Sequence, residues 1–257
     1  MMRKYATNEE RTSEYLTKFN REKVLKYLIK KDAPVIFDVG ANDGLSLEEF
    51  KTWWGKSTVH CFEPQEECWG GLQRVASNYL ESSVVINKTA VGKKSESSVD
   101  FYSHDVSSGL SGFNKININS EDSIYLKKVK ESKDTNQLNE YYKALNHKRP
   151  VDIVQLDDYM ESLGIEYVDL LKVDTQGYEP EVLSGLGNSL SRVGVVITEL
   201  MFYDYYERDL SFSDIESYLL PAGFKLYDIS HIAKNPMNGR TDWVDVIYVN
   251  QQNINNI

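Results

Sequence analysis

The chain has 257 residues, a length that suits one large α/β domain or one such domain with an insertion. Its formal net charge of −10 argues against nucleic acid as a partner, because phosphate binding needs a basic surface. The sequence contains no apolar run typical of a signal peptide or a membrane span, and its two cysteines and four scattered histidines match neither a disulfide framework nor a zinc site.

The first predicted elements lead into a glycine-rich turn. Helical spacing of apolar residues over 13–31 predicts one amphipathic helix, after a polar stretch over 1–12 that we expect to be frayed. Residues 35–39 form a short, mostly β-branched run, as expected for a strand buried on both faces. A turn with the pattern Asp-x-Gly-x-x-x-Gly begins at Asp38, and a helix is predicted over 45–54.

This turn has the features of a ligand site. Gly40 and Gly44 lack a Cβ, so the backbone can approach a ligand closely. The pattern is not the Gly-x-Gly-x-x-Gly of dinucleotide binding, and it is not a P-loop. The charge of Asp38 would repel a pyrophosphate but suits S-adenosylmethionine (SAM), which carries a sulfonium and an amine. An ordinary connection between a strand and a helix is the alternative.

The second strand is predicted over 58–62, and Glu63 follows it. An acidic residue at this place receives the ribose hydroxyls in doubly wound folds, and a solvent-facing glutamate is the alternative. A third strand over 84–91 and a half-exposed strand over 98–102 come next. The loop over 104–112 is either a lid or a plain connection. Residues 114–149 differ in composition and indicate an insertion that selects the substrate, or else a charged surface loop.

The second half of the chain continues the alternation of strands and helices. Asp174 follows a predicted strand over 170–173, and Glu199 follows one over 193–197. Parallel strands end at the same edge of a sheet, so these two carboxylates should lie side by side there. The remaining predicted elements are a strand over 151–156, helices over 157–163, 180–190 and 211–219, and an antiparallel pair over 225–230 and 244–250.

Four motifs in this order resemble the FkbM family of SAM-dependent methyltransferases: Asp38-Val-Gly-Ala-Asn-x-Gly, Phe62-Glu-Pro, Leu156-Asp-Asp, and Leu171-Lys-Val-Asp-Thr-Gln-Gly-Tyr-Glu. The resemblance covers residues 35–229. It implies an α/β class I SAM-methyltransferase (Rossmann-like) fold, with a seven-stranded, mostly parallel sheet whose last strand is antiparallel and with helices on both faces. It also implies O-methylation. The chain departs from the family at Gln176, where members often carry an acid.

Together the residues and the resemblance predict a site. Asp174 is the first candidate for the base that takes a proton from an acceptor hydroxyl, with Glu199 and His104 behind it. The alternatives are that Asp174 and Glu199 together bind Mg²⁺, and that Asp174 only caps a helix. Residues expected to contact SAM lie in the turn, after the second and third strands, and in the following loop: Asp38, Gly40, Ala41, Asn42, Gly44, Glu63, Pro64, Ala90 and Ser107.

The predicted organisation is an N-terminal helical segment over 1–33, a methyltransferase domain over 34–250 with an insertion over 114–150, and a disordered tail over 251–257. The expected function is methyl transfer from SAM to a hydroxyl of a sugar, a glycan or a secondary metabolite. A cytoplasmic location is expected, and a homodimer is compatible with this interpretation. The alternatives are a non-catalytic module with the same fold and, with less support, an NAD-dependent oxidoreductase.

Overall fold

The computed structural model of the chain describes residues 7–104, 107–120, 136, 144–202, 204–208, 210–236 and 238–252. Most of the predicted insertion and the last five residues of the predicted tail lie outside the described residues. Within these ranges no helix has the length and apolar character needed to cross a membrane. The helices are α1 (Asn8–Lys18), α2 (Arg21–Leu28), α3 (Leu45–Trp53), α4 (Glu66–Ala76), α5 (Leu156–Leu163), α6 (Glu179–Leu186) and α7 (Phe212–Leu219).

The strands of the described residues form two sheets. They are β1 (Val35–Val39), β2 (Thr58–Phe62), β3 (Val84–Asn87), β4 (Ala90–Val91), β5 (Glu96–Ser103), β6 (His147–Val154), β7 (Val168–Val173), β8 (Val193–Met201), β9 (Phe224–Lys234) and β10 (Thr241–Asn250). Seven strands form the large sheet, in the order β3-β2-β1-β7-β8-β10-β9. The first five strands in this order, β3, β2, β1, β7 and β8, pair in parallel, and β10 runs antiparallel to both of its neighbours. The predicted mostly parallel sheet with an antiparallel last strand is confirmed.

Alternating side chains of the central strands fill two cores, one on each face of the large sheet. On β1, Phe37 and Val39 belong to the core that α5, α6 and α7 cover. Ile36 belongs to the opposite core, which α2, α3 and α4 cover. Asp38 shares the second face with Ile36, because successive side chains of a strand point to opposite faces. Its carboxylate is completely buried.

A second sheet was missing from the sequence prediction. The predicted third strand over 84–91 is interrupted after Asn87, so that only β3 joins the large sheet. Residues 90–91 turn away as β4 and pair in parallel with β6, which in turn pairs antiparallel with β5. The strand predicted over 151–156 therefore belongs to the small sheet. This small sheet stands at the edge of the large sheet where the parallel strands end.

The predicted single helix over 13–31 is wrong, because the structure divides this part of the chain into α1 and α2. Asn20 interrupts the helix: its backbone is extended and its side chain accepts a hydrogen bond from the Lys23 backbone N–H at 2.9 Å. Residues 8–12 are helical rather than frayed, and Thr7 and Glu10 form a capping box at the start of α1. Asparagine and threonine favour these positions because their side chains replace the missing backbone acceptors of a first turn.

Candidate functional site

The glycine turn after β1 is shaped by three residues with positive φ angles. Gly40, Asn42 and Gly44 have φ values of 80°, 47° and 99°. The backbone N–H groups of Gly40 and Ala41 both donate to the Phe62 carbonyl, at 3.0 and 3.1 Å, which fastens the turn to the end of β2. A Cβ on Gly40 would lie 2.0 Å from the Asp174 carbonyl oxygen. Only glycine therefore lets the ends of β1 and β7 approach this closely.

Glu63 fixes the other side of the turn. Its carboxylate accepts the backbone N–H of Asn42 on Oε2 and that of Gln65 on Oε1, both at 2.8 Å. Burial raises the pKa of Glu63, and these two N–H groups oppose the rise. Each oxygen retains a lone pair beyond the one that the backbone uses. The side chain is thus held rigidly with acceptor capacity left for a diol.

A lysine lies between two carboxylates at the end of β7. The Lys172 ammonium is 3.3 Å from Asp38 Oδ1 and 3.4 Å from Asp174 Oδ2. Burial tends to lower the pKa of Lys172, but Asp38 and Asp174 outweigh it, so that the pKa lies well above its usual value. The ion pair explains how Asp38 stays buried. Asp174 differs from Asp38, because 39% of its side chain is exposed.

The loop after Asp174 holds this carboxylate from the opposite side. The Gln176 amide Nε2 donates to Asp174 Oδ1 at 2.9 Å, and its Oε1 accepts the Tyr206 hydroxyl at 2.8 Å. Glu179 Oε1 accepts the backbone N–H groups of Thr175 and Gly177, at 2.9 and 3.2 Å, and so shapes the loop. The capping alternative for Asp174 is wrong, because α6 begins at Glu179 and Tyr178 occupies the position before it.

These groups surround a cavity at the edge where the parallel strands end. We call residues 107–112 the rim loop, since Ser108, Gly109 and Ser111 line the cavity. The Ser108 hydroxyl donates to Asn42 Oδ1 at 3.1 Å, which joins the rim loop to the glycine turn. The remaining lining residues come from β1, the glycine turn, β2, the small sheet, the position after the rim loop, and the loops after β2 and β7: Val39, Gly40, Asn42, Phe62, Glu63, Pro64, Gln65, Ala90, Val91, Phe101, Phe113, Asp174, Thr175 and Gln176.

The structure brings together most of the residues predicted to contact SAM. Gly40, Asn42, Glu63, Pro64 and Ala90 line one cavity with Asp174. The neighbouring part of the site suits an adenosyl group. Glu63 has lone pairs for ribose hydroxyls, and the buried Gln65 Oε1 has no hydrogen-bond partner in the part of the chain that the structure describes. The residues present therefore fit SAM.

Four residues predicted to contact SAM are not among those that line the cavity. Asp38 pairs with Lys172 beneath the turn. Ala41 packs in the core on the α3 side. Gly44 starts α3, and a Cβ there would lie 3.2 Å from Val75. The Ser107 backbone N–H donates to His104 Nδ1 at 3.1 Å, and its neighbour Ser108 lines the cavity instead. Direct contact of these four residues with SAM stays a prediction.

The two further candidate bases are not among the residues that line the cavity, although Glu199 lies beside Asp174 as predicted, since Val173 and Thr198 before them are register partners. His104 is 4% exposed and borders a separate groove with Glu66, Glu67 and Arg149. Glu199 lies within β8, opposite Asp245 of β10. Burial, followed by the negative charges of Asp174 and Asp245, raises the pKa of Glu199 to about 9. A carboxyl group that keeps its proton at neutral pH is a poor base and a poor metal ligand.

The Mg²⁺ alternative finds no support in the arrangement of side chains. Across the described ranges, no group of three or more His, Cys, Asp or Glu side chains is placed to hold a metal ion. Asp174 has Lys172 and Gln176 as its partners, and both are hydrogen-bond donors. Two hydrogen-bond donors on one carboxylate, one of them the Lys172 ammonium, favour an arrangement without a metal ion.

Sequence reasoning missed several functional residues. Lys172 and Gln176 belong to the motif that begins at Leu171, but no role was predicted for them from the sequence. A lysine near the carboxyl end of a buried strand needs a group of opposite charge, and this was a usable signal. Gln65 directly follows Glu63 and Pro64, which were predicted to contact SAM, and its position was the available signal. Ser108 lay beside the predicted Ser107. Tyr206 had no sequence signal, because its contact with Gln176 joins residues 30 positions apart in the chain.

Comparisons with known proteins identify the family of the chain. Residues 38–226 match the family described as "Methyltransferase FkbM domain". The chain is 26% identical over 188 residues to "2-O-methyltransferase NoeI" of Sinorhizobium fredii (strain NBRC 101917 / NGR234), covering 71% of this chain and 70% of that protein. It is 28% identical over 159 residues to "Methyltransferase 1" of Beauveria bassiana (strain ARSEF 2860), covering 60% of this chain and 59% of that protein.

The fold was also compared with solved structures. The magnesium protoporphyrin IX methyltransferase of Synechocystis PCC 6803, solved with bound SAM, superposes with a TM-score of 0.46 at 9% identity. The superposition covers 97% of this chain and 87% of that chain. The fold class is defined by the strand order described above and does not depend on this superposition.

Proposed function

The chain belongs to the FkbM methyltransferase family and is a SAM-dependent methyltransferase, and from this premise we propose that it methylates a hydroxyl group of a sugar, a glycan or another small acceptor. The observation that carries the proposal is the placement of Asp174. This carboxylate is partly exposed, lines the same cavity as Glu63 and the glycine turn, and is held by Lys172 and Gln176. A hydroxyl acceptor needs a base within hydrogen-bond reach of its proton.

The relatives support the hydroxyl part of the proposal. One of them is named a 2-O-methyltransferase, and its similarity covers 71% of this chain. The walls of the cavity support a small acceptor with an apolar face. Phe101 and Phe113 pack edge to face at 5.3 Å between ring centroids and both line the cavity. Aromatic side chains offer apolar faces against which the carbon skeleton of such an acceptor can pack.

Each residue of the site has a separate task in this proposal. Bound SAM supplies a methyl group on a positively charged sulfur. Glu63 accepts the ribose hydroxyls, and the glycine turn shapes the wall beside them. Asp174 orients the acceptor hydroxyl and takes its proton on a carboxylate oxygen. Lys172 and Gln176 keep that carboxylate in place, and the rim loop helps to exclude water. Much of the gain in such displacements comes from orientation.

The first test is calorimetric titration of the purified protein with SAM, S-adenosylhomocysteine (SAH) and NAD, with the Glu63→Ala variant alongside. We expect binding of SAM and SAH that the variant loses. Binding of NAD alone would support the oxidoreductase alternative. SAM binding without methyl transfer to any member of a library of hydroxyl compounds would support the non-catalytic module.

The second test separates binding from chemistry. We expect Asp174→Asn to keep SAM affinity nearly unchanged while turnover falls by about 100-fold or more, as is usual when a general base is removed. The exposed Asp32, replaced by Asn, serves as the control. Methyl transfer from labelled SAM, followed by mass spectrometry, measures the rates. Unchanged turnover in Asp174→Asn would remove Asp174 as the base.

A further inference from the structure

Gln65 stands at the start of α4, directly after Glu63 and Pro64, and lines the cavity. The residue is 6% exposed, and its side chain makes no helix-capping hydrogen bond. Its position is therefore unlike that of an ordinary polar residue at a helix start, which either caps the helix or faces water. A glutamine buried in a cavity wall needs partners for both ends of its amide.

The orientation of this amide is fixed by its surroundings. One end of the side chain lies 3.1 Å from the backbone carbonyl oxygen of Ser108. A carbonyl oxygen can only accept a hydrogen bond, so the NH₂ end of the amide must face it. The Oε1 end is then left over. It is buried and has no hydrogen-bond partner among the residues that the structure describes.

A buried acceptor without a donor is unfavourable, because burial removes its hydrogen bonds to water and no other hydrogen bond replaces them. The neighbouring groups show what donor belongs there. The Gln65 backbone N–H donates to Glu63 Oε1 at 2.8 Å, so the side chain stands next to the carboxylate proposed to receive the ribose. A neutral acceptor at this place suits a neutral O–H or N–H donor on the same ligand.

We propose that Gln65 is a cofactor-recognition residue, whose Oε1 accepts a hydrogen bond from the adenosyl part of SAM while its Nε2 holds the rim loop through the Ser108 carbonyl. The donor is either the 6-amino group of adenine or a ribose hydroxyl that does not donate to Glu63. This inference rests on the proposed cofactor site and adds a residue to it. It also explains how the rim loop and the cofactor meet on one side chain.

The test combines variants of the protein with variants of the ligand. Calorimetry measures SAH binding to the wild type, to Gln65→Leu, and to Gln73→Leu, an exposed position on the same helix. The same proteins are titrated with SAH analogues that carry hydrogen in place of the 6-amino group, the 2′-hydroxyl or the 3′-hydroxyl. Thermal unfolding confirms that each variant is folded.

We expect Gln65→Leu to weaken SAH binding by about tenfold, the usual effect of losing one neutral hydrogen bond, and Gln73→Leu to change nothing. The analogue that lacks the donor should bind the wild type about tenfold more weakly than SAH binds it. Gln65→Leu, by contrast, should bind this analogue and SAH with the same affinity. That analogue identifies the donor.

Two other results would each overturn a different claim. If Gln65→Leu lowers the affinity for SAH and for every analogue by the same factor, Gln65 acts only through the rim loop and the recognition role is wrong. If the wild type binds SAH and Gln65→Leu binds it equally well, Gln65 has no role in binding. Failure of the wild type to bind SAH would instead overturn the cofactor site itself and this inference with it.

Discussion

Lys172 pairs with two carboxylates, and both its own side chain and that of Asp38 are shielded from water. Its side chain is 8% exposed, and that of Asp38 is completely buried. Neither oxygen of Asp38 has a hydrogen-bond partner among the described residues, so the ammonium is the group that compensates its charge. A buried charge is tolerated only when it is paired. Lys172 thus serves both the stability of the fold and the position of Asp174.

Replacement of Lys172 by Met should therefore destabilise the protein strongly. Removing one partner of a buried ion pair costs about 3–5 kcal/mol, because the other charge is left without compensation. Urea unfolding measures this loss, with exposed Lys56→Met as the control. Adding Asp38→Asn to Lys172→Met should recover most of the stability. If the double variant is no more stable than the single one, the two residues do not depend on each other.

Gln176 is the residue at which the chain departs from its family, and its amide donates to Asp174. Gln176→Glu would place a second carboxyl group 2.9 Å from the first, and two such groups share a proton. We expect the acidic limb of the pH–rate profile to move up by about one pH unit or more, with activity recovered at high pH.

The neutral variant Gln176→Leu gives the matched comparison. It loses the hydrogen bond without adding a charge, so turnover should fall at every pH and the profile should keep its shape. Initial rates across a pH series, at saturating SAM, measure both variants. A Gln176→Glu profile that coincides with that of the wild type would show that the amide does not control Asp174.

At the scale of residues, the sequence predicted the polar groups at strand ends but not which of them pair. Asp174, Glu63 and Gly40 could be placed because a parallel sheet brings its carboxyl ends together. Alternation along β1 places Asp38 on the face opposite the cavity. That its charge can be buried there depends on the ion pair with Lys172, which the sequence pattern does not reveal. The contact between Gln176 and Tyr206 depends on tertiary packing that no local pattern encodes.

Among the elements, the glycine turn and the end of β7 depend on each other for their geometry. The Asp174 backbone N–H donates to the Val39 carbonyl at 3.0 Å, while Gly40 leaves room for the Asp174 carbonyl. The candidate base and the cofactor turn are therefore one rigid unit. The small sheet adds Ala90, Val91 and Phe101 to the opposite wall.

Gly40→Ala should disrupt this unit. The new Cβ would lie 2.0 Å from a backbone oxygen, and the φ of 80° is unfavourable for alanine. We expect a loss of at least about 2 kcal/mol in unfolding free energy and a loss of SAH affinity of more than about tenfold. Urea unfolding and calorimetry measure the two effects.

Gly70→Ala is the matched control, and it should change stability in the opposite direction. Gly70 lies inside α4, and a Cβ there would meet nothing within 4 Å. Alanine stabilises a helix interior by about 0.5–1 kcal/mol relative to glycine. If Gly40→Ala is as stable as Gly70→Ala, the close approach of the two strand ends does not constrain residue 40.

The pattern of apolar residues was sufficient to predict the central strands of the large sheet, but not the bounds of the elements around it. The strands β1, β2 and β7 are short apolar runs that end in polar turns, and such runs are recognisable in sequence. The break between β3 and β4 is invisible in the apolar pattern, because both pieces are apolar and nothing between them forbids an extended backbone. The division between α1 and α2 had a sequence signal in Asn20, which is a strong helix-capping residue.

At the scale of the whole molecule, as far as the structure describes it, five carboxyl groups act on one another around the carboxyl ends of the central strands. We call this group the acidic cluster, and it consists of Asp38, Asp174, Glu179, Glu199 and Asp245. Two cations compensate it in part: Lys172 lies 3.3 Å from Asp38, and Arg21 of α2 lies 3.9 Å from Asp245. Burial, together with the neighbouring carboxylates Asp174 and Asp245, raises the pKa of Glu199 to about 9, so that Glu199 keeps a proton and the charge of the cluster is reduced.

This proton makes the stability of the whole chain depend on pH. In the unfolded chain Glu199 ionises near its ordinary value of 4.5, whereas in the folded chain it ionises near 9. Between these values the folded state binds more protons, so the free energy of unfolding falls as pH rises. Glu199→Gln cannot ionise, so the variant should be more stable than the wild type at pH 8, by about 1 kcal/mol or more, and equal to it at pH 4.

Thermal unfolding of both proteins at several pH values measures the difference, with Glu161→Gln on the exposed face of α5 as the control. The stabilisation should grow steadily from pH 5 to pH 8, because over this range Glu199 of the wild type ionises in the unfolded chain but keeps its proton in the folded chain, whereas the glutamine of the variant does neither. A constant difference at all pH values would mean that Glu199→Gln acts through packing. A loss of stability at pH 8 would mean that Glu199 is ionised and compensated in the folded protein, and that the charge balance of the acidic cluster is different.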